Sequence, residues 1–279
     1  RQKRLKSIEV EDVSMGELLI PSGVEDLTLD WLKAALGSSV DAEVIDCHVR
    51  RSTEPGQTAE IVLIDAVFDR DDPGLPTRMV AKFTSQNQQV IDEIINVFDQ
   101  YRRETSFYRD FKDPGIAIPD CLYQQFDADQ QAFVLLMKDL GPASSPSWAV
   151  TTEQVEFGLK QLPKLHGKWW NDTLLREKDY FVQFDDQNFY AMGFGAAAQI
   201  VTGLGAHFED IALTETLMPR VAEQLSKLQA LYAARPFTLV HGDYHSKQLF
   251  FPTNGLGEFA AIDWQFPFVA QGPWDFARL

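Results

Sequence analysis

One stretch constrains this chain more than any other: Leu239-Val240-His241-Gly242-Asp243-Tyr244-His245-Ser246-Lys247-Gln248-Leu249-Phe250-Phe251, followed by Ala261-Ile262-Asp263-Trp264. An apolar strand runs into a glycine turn that carries an acid. An amide side chain follows five positions on, and a second acid ends another apolar strand twenty positions past the first. This spacing suits phosphoryl transfer, which asks a protein chiefly to orient a hydroxyl and to neutralise charge on the transferring group through metal ions. One carboxylate for the hydroxyl, and an amide with a second carboxylate for Mg²⁺, would suffice.

These residues resemble the core of the aminoglycoside phosphotransferase and choline kinase-like (ecdysteroid kinase-like) small-molecule kinases, whose pattern reads His-Gly-Asp-x-His-x-x-Asn and then apolar-Asp-Trp/Phe-Glu/Gln. His241, Gly242, Asp243 and His245 match, as do Ile262, Asp263, Trp264 and Gln265, whereas Gln248 stands where Asn is usual. The run Gly272-Pro273-Trp274-Asp275-Phe276-Ala277 resembles the Gly-x-x-x-Asp-Leu-Ala segment of the same group. The resemblance implies an α+β, protein-kinase-like bilobal fold with a small antiparallel-sheet N-lobe and a mainly helical C-lobe. It implies transfer of the γ-phosphate of ATP, with Mg²⁺, to a hydroxyl of a small molecule. Asp243 would then be the catalytic base or hydroxyl-orienting group, with His241 and His245 bracing its loop. Asp263 and Gln248 would ligate the metal, and Asp275 would support the loop. Each has a plainer alternative: Asp243 stabilising a glycine turn through nearby amides, Asp263 ending a strand. The Asp-Trp-Gln form is closer to the choline kinase-like and ecdysteroid kinase-like branch than to the antibiotic-modifying one. The acceptor is not legible, because the helical surfaces that bind it vary across the group.

Composition bounds the partners. A chain of 279 residues, 45% hydrophobic, is long enough for a large core. A net charge of −16 argues against a general binder of nucleic acid or anionic membranes, since phosphate backbones demand a basic surface. Cys47 and Cys121 supply neither a disulfide framework nor metal spacing, and the basic start Arg1-Gln2-Lys3-Arg4 leads into acidic sequence, so a cytoplasmic protein is expected. Oligomeric state is not legible. The sequence stops at Leu279 just after the last motif, and further helices are expected beyond it.

Along the chain, a helix is expected around Asp26 to Leu36, then strands over Glu43 to Arg50, Thr58 to Phe68 and Thr77 to Phe83. From Gln88 to Phe111 the period turns helical, with Ile94, Val97, Tyr101, Tyr108 and Phe111 on one stripe together with Glu104. Strands follow at Leu122 to Phe126 and Ala132 to Met137, and the Pro- and Ser-rich 141–148 segment reads as a linker. The layout therefore reads as a small sheet-rich lobe, 1–140, followed by a mainly helical one, 141–279; the resemblance implies that the first is the nucleotide-binding lobe, with the hinge at its end, and the second the catalytic and acceptor-binding lobe. The latter opens on a capping-box pattern at Thr151 to Gln154, with one helix expected through Val155, Leu159, Leu162, His166 and Trp169. A further helix carries Leu217, Val221, Leu225, Leu228 and Tyr232, while 188–208 has no clear assignment.

Lys82 sits on an apolar strand, and Glu104 on an otherwise apolar helical face. Buried Lys and Glu are rare unless paired, so the two most simply satisfy each other, with Glu93 and Asp92 as competing acids and a solvent-facing strand lysine as the plainer alternative. In kinases such a pair positions the lysine on nucleotide phosphates. The loop from Arg50 to Thr58 has one glycine, with Ser52, Thr53 and backbone amides as candidate phosphate contacts or simply a hairpin. The segment from Phe133 to Leu140, with Met137 and Asp139, resembles the adenine-binding hinge. Trp148, Trp169, Trp170, Tyr244 and Trp274 could cage a quaternary amine, although Trp169 at helical spacing suits a core. Two rival classes remain: a pseudokinase that binds nucleotide without turnover, and a metal-dependent hydrolase with His241, Asp243 and His245 as ligands.

Overall fold

The computed structural model describes residues 18–52, 56, 58–141, 147–184, 186, 217, 220–221, 223–252 and 257–279. The fold is α+β. Its first half is built on a five-stranded antiparallel sheet of β1 (Val44–Arg51), β2 (Ala59–Phe68), β3 (Arg78–Thr84), β4 (Cys121–Asp127) and β5 (Ala132–Lys138) in the order β1-β2-β3-β5-β4. Side chains alternate across a strand, so a sheet covered on both faces needs apolar residues at successive positions. Strand β5 shows this most clearly: all of Phe133 to Met137 is buried, Val134 and Leu136 in one cluster and Phe133, Leu135 and Met137 in the other.

Helix α1 (Leu29–Leu36), capped by Thr28 Oγ1 accepting from the Trp31 amide, packs Trp31, Leu32, Ala35 and Leu36 against the outer face with Val62, Ile64, Ala81 and Phe83. The parity of β3 then decides where Lys82 goes. Ala81 and Phe83 belong to the outer cluster, so Lys82 lies on the inner face, toward α2 (Gln100–Asp110).

The single helix expected from Gln88 to Phe111 is broken. Asn87 caps a helical turn, Gln88–Val90, which becomes a π-helix over Ile91–Ile95, returns to α over Asn96–Phe98, and stops at Asp99, whose φ of 52° is left-handed. Aspartate tolerates that conformation better than most residues. The wider turn rotates the apolar stripe, so Ile91 and Ile95 are buried while the expected Ile94 and Val97 are exposed. Tyr101, Glu104 and Tyr108 stay buried on α2, as does Phe111 just past its end.

In the second half, Thr151 and Gln154 form the reciprocal capping box, but the expected helix divides into α3 (Thr152–Leu159) and α4 (Leu162–Lys168). Pro163 in the first turn of α4 lacks an N–H and suits a helix start, not an interior. Helix α5 (Leu225–Ala233) covers part of the later expected helix; Leu217 and Tyr232 are exposed rather than core. The unassigned 188–208 segment and most of the 141–148 linker lie outside the described residues.

Short strands frame the motifs. β7 (Thr238–Val240) pairs with β10 (Phe268–Ala270), which also pairs in parallel with β6 (Val182–Gln183); β8 (Leu249–Phe250) pairs with β9 (Ala260–Ala261). A cluster of Phe107, Phe133, Leu135, Leu165, Leu239, Tyr244 and Trp264 runs from the sheet into these elements. At its centre Phe107 of α2 stacks on Trp264, with ring centroids 4.1 Å apart and planes at 5°. Aromatic stacking of this kind contributes about 0.5–1.5 kcal/mol beyond area burial. Among the described residues, no helix is long and apolar enough to cross a membrane.

Candidate active site

Gly242 has a φ of 82°, and a Cβ there would lie 2.1 Å from Phe266 O, so only glycine lets the chain turn after β7. The turn is braced from below by Asp275, on α6 (Pro273–Phe276), whose carboxylate is fully buried. It accepts from the amides of His241 (2.9 Å) and Gly242 (2.9 Å), and from His166 Nε2 (3.0 Å). A carboxylate can only accept, so His166 carries its proton on Nε2.

Both ring nitrogens of His241 are committed. Nδ1 accepts from the Asp243 amide (3.3 Å), which puts the proton on Nε2, where it is donated to Ile262 O (2.8 Å). Burial holds this imidazole below its usual pKa, against the pull of Asp275. His245 behaves similarly: Nδ1 accepts from the Lys247 amide (3.2 Å), and Nε2 faces Asp243 Oδ2 at 3.4 Å. In this arrangement both rings carry their proton on Nε2 and use Nδ1 to accept a backbone amide. Asp243 also pairs with Arg278.

Lys82 and Glu104, 22 positions apart, meet at 2.9 and 2.7 Å, and Lys82 Nζ also reaches Asp263 Oδ1 at 2.5 Å. Burial alone would push the ammonium down. Asp263 and Glu104 outweigh it, so the group is held charged and above its usual pKa. Burial pushes the Glu104 carboxyl up, with Lys82 pulling the other way and Asp263 adding to the rise. Asp263 itself has a φ of 64°, left-handed for a non-glycine residue, and its Oδ2 accepts from Gln248 Nε2 (2.7 Å) and Gln265 Nε2 (3.1 Å). The amide of Gln248 and the carboxylate of Asp263 thus lie side by side. Turning the amide would present its oxygen, and two hard oxygen donors suit Mg²⁺.

Other candidates fall differently. The Ser52 amide donates to Ile61 O (3.1 Å), closing the β1–β2 hairpin; Thr53 lies outside the described residues. Arg50 and Arg51, at the loop's start, pair with Asp65 and Glu60 on the sheet. Met137 packs in the inner cluster. The Asp139 amide donates to Arg78 O (3.0 Å), and its carboxylate binds Arg78 (2.6 Å) and the Gly141 amide (3.0 Å), so a base would meet only the remaining backbone groups of this segment. The proposed aromatic cage does not assemble as a unit. Tyr244 is fully buried with its hydroxyl donating to Gly158 O, and Trp169 donates to Pro114 O while packing on Phe111. Trp148, 69% exposed, stacks on His245 at 4.6 Å, and Trp274 donates to Gly242 O.

Three contacting residues were not anticipated as part of the site. His166 looked like one position in an apolar helical stripe, its polarity there being the only cue. Arg278 and Thr58 carry no local signal, because their partners are 35 and 207 positions away.

No protein-family profile and no curated protein sequence matches the chain. Solved structures do. The GDP complex of an aminoglycoside 2'-phosphotransferase-IIIa variant superposes with a TM-score of 0.52 over 90% of this chain and 76% of that one, at 15% identity. An aminoglycoside phosphotransferase from Streptomyces rimosus, also 15% identical, matches 81% of this chain and 75% of its own with a TM-score of 0.49. On the first of these likenesses, the chain has the protein-kinase-like bilobal fold of the aminoglycoside phosphotransferases.

Proposed function

We propose that this protein is a small-molecule kinase that transfers the γ-phosphoryl group of Mg²⁺-ATP to a hydroxyl of its acceptor. The observation that carries the reading is the convergence of Lys82, Glu104, Asp263 and Gln248 on one point, beside a loop whose main chain is braced to hold Asp243. Lys82, kept charged, binds phosphate oxygens once nucleotide draws it from Asp263, and Glu104 keeps it aimed. Asp263 and Gln248 would hold Mg²⁺, which supplies neutralisation of the phosphate charge. Asp243 orients the acceptor hydroxyl and takes its proton as the new oxygen–phosphorus bond forms and the bond to the β-phosphate bridging oxygen breaks, releasing ADP. His245 Nε2 and Arg278 steady that carboxylate.

The sheet side through Leu140 is the nucleotide lobe in this reading, and 141–279 the acceptor lobe. A cytoplasmic setting, where ATP is abundant, suits this reading. A guanine nucleotide is an arm of the test, because the structural neighbour was solved with GDP. A pseudokinase is the second reading, favoured by the engagement of both Asp263 oxygens and the pairing of Asp243 with Arg278. The test is a panel of hydroxyl compounds incubated with Mg²⁺-ATP or Mg²⁺-GTP and followed by mass spectrometry, beside melting curves. Ligand at a hundredfold over its Kd contributes about 2.7 kcal/mol, or roughly 5–10 °C in melting temperature. A shift with a phosphorylated product supports the kinase, a shift without product over the whole panel supports the pseudokinase, and no shift overturns both.

A further inference from the structure

We propose that Gln265 is a positioning residue that makes the orientation of Asp263 conditional on the seating of the β1–β2 hairpin, through Thr58. The inference rests on the reading of Asp263 as a metal-holding carboxylate.

Gln265 is buried and uses both ends of its amide. Nε2 donates to Asp263 Oδ2 (3.1 Å), and Oε1 accepts from Thr58 Oγ1 (3.2 Å). The direction of this chain is fixed by chemistry. A carboxylate accepts only, so the amide nitrogen faces Asp263, the amide oxygen faces Thr58, and the threonine hydroxyl donates.

Thr58 is held in turn. Its carbonyl accepts from Tyr101 Oη (2.7 Å), and Tyr101 Oη accepts from the Ser85 amide (3.0 Å), so the start of β2 is tied both to α2 and to the end of β3. The run Ser85, Tyr101, Thr58, Gln265, Asp263 is a continuous hydrogen-bonded path from the sheet to the candidate metal carboxylate. Its Thr58–Gln265 link spans 207 positions and joins the start of β2 to the Asp263 turn.

The left-handed backbone at Asp263 gives this link its leverage. With a φ of 64°, the residue occupies the left-handed region, which aspartate tolerates better than most residues but which still costs energy relative to glycine, so the contacts on its side chain help to hold it there. Gln248 and Lys82 also hold this carboxylate, but both are committed to ligands in the proposed reaction. Of these three donors, Gln265 is the one left outside the reaction, and the one tied to the start of β2.

The test compares wild type, Thr58→Ser, Thr58→Val, Gln265→Leu and the Thr58→Val/Gln265→Leu double variant. ATP affinity is measured by calorimetry with and without Mg²⁺, together with hydrogen exchange at residues 59–61. Each deletion should weaken Mg²⁺-dependent affinity about tenfold, the effect of losing one hydrogen bond to a charged network. Metal-free ATP affinity should stay within twofold, and Thr58→Ser should keep the wild-type value. The double variant should be no weaker than Gln265→Leu alone, because the hydroxyl acts through the amide. Exchange at 59–61 should slow on adding Mg²⁺-ATP to wild type and not to Gln265→Leu. If Gln265→Leu does not fold, the Thr58 pair carries the test alone. Additive losses, equal losses with and without metal, or a Thr58→Val that behaves as wild type would each overturn the inference while leaving the kinase reading intact. A wild type that binds no Mg²⁺-ATP would overturn both.

Discussion

Asp263 and Asp243 each follow a short strand of the same half of the molecule, yet they are held in place by different means. Asp263 is surrounded by side chains brought from distant elements: Lys82 on β3 with Glu104 of α2 behind it, Gln248 beside β8, and Gln265. The Asp243 loop is held through its main chain, with the amides of His241 and Gly242 on Asp275 and the amide of Asp243 on the His241 ring. The first arrangement is a charge network that a single substitution can unbalance without moving a loop. The second is a loop shape whose side chain, once presented, can be changed at little structural cost.

The sharpest way to break this contrast is to exchange the carboxylates. Asp243→Asn should lower turnover by about 10² to 10⁴ while leaving nucleotide affinity near wild type, whereas Asp263→Ala should remove Mg²⁺-dependent affinity. Equal loss of binding in both variants would mean that the two sites are not separable. Calorimetry with Mg²⁺-ATP and a turnover assay on the acceptor found by screening give the answer.

A smaller effect, on stability, tests the network against the exposed pair. Lys82→Met leaves Glu104 and Asp263 facing each other with no cation between them, and breaking a buried pair in this way costs about 3–5 kcal/mol. Arg278→Ala removes a half-exposed partner of Asp243 and should cost no more than about 1 kcal/mol. Urea unfolding of both variants reads the difference, and costs of similar size would show that the buried network does not dominate.

The smallest effect concerns pH and the loop. The pKa of His241 is lowered in the folded state, chiefly by burial, so below the usual histidine value of about 6.5 the unfolded chain binds the extra proton there. The sign follows: stability is intact above that pH and lost as pH falls through it, at up to about 1.4 kcal/mol per pH unit for this one group. Protonation would also take Nδ1 from the Asp243 amide, so the loop should loosen over the same range. Melting temperature against pH should fall less steeply between pH 7 and 5 in His241→Gln than in wild type. Parallel curves would show that the imidazole is not held neutral.

The patterns that local chemistry dictates were legible in the chain itself. The five strands of the larger sheet were visible to within a residue or two because β-periodicity and turn residues are local, whereas β6 and β10, two and three residues long, are too short to show a period; the Thr151–Gln154 capping box was visible because its two hydrogen bonds lie within four residues. The inward direction of Lys82 and its pairing with Glu104 followed from the cost of burying either alone. The residues of the Asp243 and Asp263 motifs were likewise legible, although not their partners.

Tertiary structure decided what depends on convergence. The π-helical turn and the left-handed Asp99 reshape a stripe that ideal periodicity would have buried whole, and Pro163 starts a new helix where an apolar period continued. Which donors meet Asp263, why neither ring nitrogen of His241 remains free, and how Thr58 reaches Gln265 across 207 positions all depend on elements packed together by the shared core around Phe107 and Trp264. The sequence by itself determined which side chains could carry charge, accept hydrogen bonds and sit in a strand or turn. Only the packed fold decided which of them touch, because a hydrogen bond requires its partners within about 3 Å and no local pattern sets that distance across the chain.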